Sequence, residues 1–166
     1  MIRKRMFQKR GVMLPEVMVA STIMVLVLIA LVTFYMAAQV TWIEEDAQVT
    51  LQQNARLVMD IMARGEGGTG GIMEATAVTL PNASTVEFTS GIDNIERSFY
   101  LLGDDVMYDS NTAVAGGDVS VADSVAPGGL TFALNGNVVT INLAMQDQVM
   151  GKAFNVDLST DVIFRN

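Results

Sequence analysis

One run of 22 residues, Val17 to Ala38, contains no charged side chain and only Ser21, Thr22 and Thr33 as small polar interruptions. As a helix rising 1.5 Å per residue it covers about 33 Å, enough to cross the hydrocarbon core of a bilayer. Immediately before it stands a lone carboxylate, Glu16. Ionisable groups at membrane depth cost several kcal/mol and mark function, with a partner to be found. Glu16 therefore needs a partner of opposite charge if it enters the membrane.

Charge is divided sharply along the chain. Five of the ten basic residues (Arg3, Lys4, Arg5, Lys9 and Arg10) precede Gly11, with no acid among them. After Gly11, five bases face all 18 acids, a formal charge of −13. A basic flank before an apolar span, followed by an acidic remainder, predicts the leader inside and the body outside. The acidic body also argues against direct nucleic-acid binding, since no basic patch is present to displace counterions from phosphates. With neither cysteine nor histidine, disulfides, thiolate chemistry and sulfur-linked lipids are excluded, and the commonest general base and metal ligand is missing. An ordinary secretory signal fits poorly. Its apolar core spans roughly 7–15 residues before a small-residue cleavage site. Here Ala37-Ala38 comes only at the far end of a longer run that opens with an acid.

Beyond the span the pattern becomes amphipathic. Val40, Ile43, Ala47, Leu51, Ala55, Val58 and Ile61 or Met62 recur at intervals of three and four, opposite Glu44, Glu45, Asp46, Gln48, Gln52, Arg56 and Asp60. Pro15 suits a first helical turn, and no glycine or further proline follows until Gly65. One helix over 12–64 is therefore expected, its second half laying an apolar stripe on a sheet. Five glycines in Gly65-Glu-Gly-Gly-Thr-Gly-Gly71 end it and form a hinge. This stretch formally matches the dinucleotide-binding pattern GxGxxG, but it follows a helix and opens strands, the reverse of that site's context.

Short β segments follow: Ala75–Leu80, Thr85–Thr89, Ser98–Leu102, Val106–Tyr108 and Val119–Val121. Leu130–Leu134 and Val138–Leu143 flank Asn135-Gly136-Asn137, whose glycine supplies the positive φ of a tight hairpin. Two segments, Phe154–Leu158 and Val162–Phe164, are expected to close the domain. No second long helix separates the strands, so antiparallel pairing is expected. The fold class is α+β: a long N-terminal helix, membrane-spanning and then amphipathic, packed on a C-terminal antiparallel sheet domain.

A basic leader, Gly11, Val12-Met-Leu-Pro-Glu16 and a long apolar helix, in that order, resemble the class III signal of type IV prepilins and pseudopilins. In that family a prepilin peptidase cuts after the glycine and methylates the new amino terminus, and the acid five residues into the mature chain helps subunits assemble. The resemblance implies cleavage between Gly11 and Val12, N-methylation of Val12, and an assembly salt bridge between Glu16 and the Val12 amine of the same or a neighbouring subunit. Leu14 and Pro15 fit the intervening positions. The chain departs from the family's pattern at Val12, where phenylalanine or methionine is commoner, and at Thr33, where many major pilins carry a helix-loosening proline. The proline and a C-terminal disulfide loop are habits of major pilins, so their absence tilts the resemblance toward a minor pilin or pseudopilin. It is specific at the N-terminus and loose in the β body, whose Arg165-Asn166 tail is of a kind found in the family.

The resemblance implies this organisation: 1–11 a cleaved leader, 12–38 a transmembrane and assembly helix, 39–64 its amphipathic continuation, 65–71 a Gly-rich hinge and 72–166 a β-rich body. It implies a non-enzymatic structural subunit of a pilus or pseudopilus, without cofactor, metal or catalytic residues. The subunit is held first in the inner membrane, with leader in the cytoplasm and body outside. Its implied partners are the prepilin peptidase, other pilin or pseudopilin subunits, an inner-membrane assembly platform driven by a separate ATPase, and the lipid bilayer before assembly. The alternative is an uncleaved, single-pass anchored binding module or adhesin, which predicts an intact N-terminus and no need for Glu16. A hydrolase using carboxylates has no motif behind it. Asp104, Asp105, Asp109, Asp118 and Asp123 offer oxygen ligands for calcium, but without EF-hand spacing.

Overall fold

The structure, a computed structural model, describes residues 14–65 and 70–165. Its first element is a single helix, α1 (Leu14–Arg64), about 77 Å long at the usual rise. The described residues form two compact units that divide after Ile43. In the first unit no side chain is buried. Its polar interruptions satisfy themselves within the helix: Ser21 and Thr22 hydroxyls both donate to the Met18 carbonyl, Thr33 Oγ1 to Ile29 and Ala30, and Thr41 Oγ1 to Ala37. Such internal pairing is what an apolar solvent requires of a polar group. The helix runs unbroken through Thr33.

In the second unit, the rest of α1 packs on an antiparallel β domain. A short 3-10 turn, Ile72–Glu74, leads into β1 (Ala75–Asn82), β2 (Thr85–Ser90), β3 (Glu96–Leu102), β4 (Asp105–Asp109) and β5 (Asp118–Ala122). These five pair in sequence order as an antiparallel meander. A second sheet contains β6 (Val125–Asn135), β7 (Val138–Val149) and β8 (Lys152–Ile163), again in order and antiparallel. Backbone bonds from Val125 N to Asp104 O and from Phe132 N to Ala83 O join β6 to turns of the first sheet. The architecture is α+β.

Turn chemistry sets the register. Gly136 at φ +64° opens the two-residue turn between β6 and β7, and the pair Met150 and Gly151, both at positive φ, closes the one between β7 and β8. The β7–β8 ladder is continuous for twelve pairs. The two closing segments expected at Phe154–Leu158 and Val162–Phe164 are therefore one strand. Their apparent gap, Ser159-Thr-Asp161, remains in the ladder. Ser159 Oγ donates to Asn142 Oδ1 and Thr140 Oγ1 to Asp161 Oδ1, so polar side chains link the two strands rather than ending β8.

A single core unites the second unit. Leu51, Ala55, Val58, Met59 and Met62 of α1 are buried with Val86, Phe88, Phe99 and Val106 of the first sheet and Leu130, Ile141, Leu143 and Met145 of the second. The helical stripe is thus buried from Leu51 onward, whereas Val40 and Ile43 remain exposed. At the helix end Gly65 takes φ +82° and donates its N–H to Ile61 O, a left-handed cap. A Cβ on Gly71 would lie 2.4 Å from Gly65 N, so only glycine lets the returning chain approach so closely.

Phe99 stacks on both Phe88 and Tyr108, with ring centroids 5.7 and 4.9 Å away, and is 1 % exposed. Phe99→Ala should lower the unfolding free energy by about 3–5 kcal/mol, read by denaturant unfolding of the full chain in detergent. A loss below about 1 kcal/mol, the scale of an exposed site, would contradict this placement.

Candidate functional site

The residues singled out by the sequence lie at the start of α1. Gly11 with the rest of the leader, and Val12 after it, lie outside the described residues. Glu16 occupies the first turn of α1 and is exposed. Carboxylates are favoured there because the first backbone N–H groups lack intrahelical acceptors. Among the described residues Glu16 has no ion-pair or hydrogen-bond partner.

From Leu14 to Tyr35, large apolar side chains cover the whole circumference of the helix. Val17, Met18, Val19, Ile23, Met24, Val25, Leu26 and their successors are each about half or more exposed. The most apolar window has a mean hydropathy of 2.7, and none of it is buried. A single N-terminal helix is thus long and apolar enough to cross a membrane. Burying one such side chain is worth about 1.5–3 kcal/mol, so the surface has a strong drive to meet lipid or other apolar helices. Chemically, the site offers a wide apolar surface with one carboxylate near its end.

Two polar anchors in the second unit were not anticipated from sequence. Lys152 Nζ, at the β7–β8 turn, forms a short ion pair with Glu44 of α1. On β3, Arg97 is 4 % exposed, and its guanidinium meets Asp93 through two parallel contacts of 3.0 and 2.5 Å. Asp93 also accepts the Ile95 N–H at 3.1 Å, in a turn held by a Ser90 N to Ile95 O bond and by Asn94 at φ +57°. Arg97 Nε and the Tyr108 hydroxyl are buried without a hydrogen-bond partner among the described residues. Arg97 alternates with Phe99 and Leu101 along one side of β3. Extending that period two residues back from Phe99 finds the buried arginine in the sequence.

The five aspartates considered for calcium fall in the β3–β4 turn (Asp104), on β4 (Asp105 and Asp109), on β5 (Asp118) and just after it (Asp123). Among the described residues no group of three or more carboxylates gathers around a common point. Asp109 and Asp118 stand directly opposite across β4 and β5. Burial, followed by the negative charges of Asp118 and Asp109, pushes the Tyr100 phenol above its ordinary value of 10.0. Searches against protein families, curated proteins and solved structures find no match to this chain.

The hydrogen bond from Arg97 holds the Asp93 carboxyl at about 2, down from an ordinary 3.8. A depressed carboxyl contributes stability that is complete above its unfolded value and is lost as pH falls through the folded one. Asp93→Asn should therefore lower the melting temperature at pH 7, with the difference from the parent closing between about pH 4 and about pH 2. Melts across that range test it, and a difference that stays constant down to pH 2 would contradict the pairing.

Proposed function

We propose that the chain is a structural subunit of a type IV pilus or of a type II secretion-type pseudopilus, on the minor-pilin or pseudopilin side of that family. One observation carries the reading. The ordered signal of basic leader, Gly11, Val12 and Glu16 directly precedes a helix whose first thirty described residues bury nothing. An apolar cylinder of that length needs partners outside its own chain. A bilayer first, and then a bundle of the apolar helices of neighbouring subunits, meets the need.

In this account the leader remains cytoplasmic and the acidic body crosses to the outside. Prepilin peptidase cuts between Gly11 and Val12 and methylates the new amine. In the bundle, Glu16 and the Val12 amine would share a low-dielectric interior where either charge alone is costly. Pairing removes that cost only at one axial offset between neighbours, so the pair selects register. The internally satisfied hydroxyls of Ser21, Thr22 and Thr33 let the helix move from lipid to bundle without a change in hydrogen bonding. The β body then coats the outside, and nothing in this mechanism requires catalysis by the subunit.

The test is Glu16→Ala in cells that supply the peptidase and the assembly machinery. Processing at Gly11 should continue, while recovery of sheared filaments falls roughly tenfold or more, because an unpaired buried charge costs about 3–5 kcal/mol. Undiminished filament recovery would overturn the role of Glu16.

A further inference from the structure

Val149 and Lys152 close the β7–β8 ladder, so Met150 and Gly151 form its two-residue tip. Met150 is 66 % exposed and sits at φ +52°, a left-handed conformation that favours glycine or asparagine. Among the described residues it is the one apolar side chain held there. Nothing lies within 4 Å of where a Cβ would stand on Gly151, so the tip projects into open space. A cavity of about 340 Å³ places Asp104 of the β3–β4 turn beside Gln148 and Ala153, next to this tip. Leu102, just before that turn, is 60 % exposed. At the other end of β7 the corresponding turn is Gly136-Asn137, with no apolar side chain.

The tip is fastened to the helix close to the apolar run. Lys152 pairs with Glu44 and lies 5.4 Å from the Phe154 ring centroid. Six residues of α1 lead from Ala38, the last of the charge-free run, to Glu44, a rise of about 9 Å. The headgroup layer outside the hydrocarbon core is about 5–7 Å deep on each side. With the run across the core, Glu44 and the hairpin tied to it reach the outer margin of the headgroups. Trp42, the chain's one tryptophan and exposed, falls within that layer, where such rings are enriched. Carboxylates flank this end of the body: Glu45 and Asp46 on α1, Asp104 and Asp105 at the β3–β4 turn, and Asp147 on β7. Among the described residues none of these five is in an ion pair, and Lys152 is already engaged by Glu44.

We propose that the β7–β8 tip, with Leu102 at the adjoining turn, rests on the surface of the bilayer that α1 spans. Met150 enters among zwitterionic headgroups, whose ammonium groups face the surrounding carboxylates. A flexible thioether suits such an irregular apolar contact. The span already holds the body at the membrane, so the contact is intramolecular in effect and a small surface suffices. The Glu44–Lys152 pair sets the level at which the hairpin meets the headgroups. The inference rests on the membrane span and not on processing at Gly11. It gives the anchored chain a second point of contact with lipid before any assembly.

The methionines themselves report the contact. The full chain in phosphatidylcholine vesicles is treated with chloramine-T, a charged, water-soluble oxidant, and sulfoxide at each methionine is read from peptide masses. Exposure within the chain alone makes Met150 react faster than Met73, which is 47 % exposed. The contact predicts the reverse order, with Met150 slower by roughly threefold or more, and Met24 of the span protected. Glu44→Lys should release the hairpin and return Met150 to the faster rate, while Glu44→Lys with Lys152→Glu should restore protection. Adding phosphatidylglycerol should weaken protection, because anionic headgroups repel the acidic end. Met150 reacting faster than Met73 while Met24 stays protected would overturn the contact and leave the span intact. Oxidation of Met24 as fast as Met73 would overturn both. Protection that fades on dilution of protein in lipid, or that grows with anionic lipid, would overturn zwitterionic headgroups as the cover.

Discussion

The burial of one stripe of α1, from Leu51 to Met62, holds the second unit together. These five side chains enter the same core as both sheets, and among the described residues neither sheet has another α-helix to cover it. Each fully buried Leu, Val or Met on that stripe is worth about 1.5–3 kcal/mol. The stripe fixes which side of the helix faces the strands. Toward the N-terminus the same helix changes character: all of its sides are apolar, and none is covered by the described residues of its own chain. One continuous element therefore has two characters, packed on protein at one end and apolar enough to cross a membrane at the other.

Polar groups follow the same division. In the apolar half, hydroxyls fold back onto carbonyls one turn earlier, leaving Glu16 as the one carboxylate before Glu44. In the body, acids predominate, and the few bases act as fixed points. Arg97 is an interior anchor for the Ser90–Ile95 turn, and Lys152 ties the β7–β8 turn to Glu44 on the helix. Arg56, Arg64 and Arg165 remain exposed, Arg64 paired with Asp60.

Much of this was legible in the sequence because it depends on local rules. The helix and its end at Arg64 follow from an uninterrupted run without glycine or proline, closed by Gly65. Most strands follow from alternation between turn residues, and Gly136 marks its hairpin as the positive-φ rule requires. Where sequence reading fell short, longer-range pairing decided the outcome. Ser159-Thr-Asp161 looked like a break, yet cross-strand hydrogen bonds to Asn142 and Thr140 carry β8 through it. The inward arginine on β3 and the Glu44–Lys152 pair depend on tertiary neighbours that no local window contains. Glu16 stood out at once, because a lone carboxylate beside 22 uncharged residues contrasts with everything around it. Among the described residues it has no partner.

The central claim is that this N-terminus is processed so that Glu16 gains an amine to pair with. Intact mass and N-terminal sequencing of the membrane-expressed protein, with and without an active prepilin peptidase, test it most directly. The account predicts a chain beginning at N-methylated Val12 only when the peptidase is present. A chain that still begins at Met1 under both conditions would contradict it, and would favour an uncleaved anchor carrying a binding module.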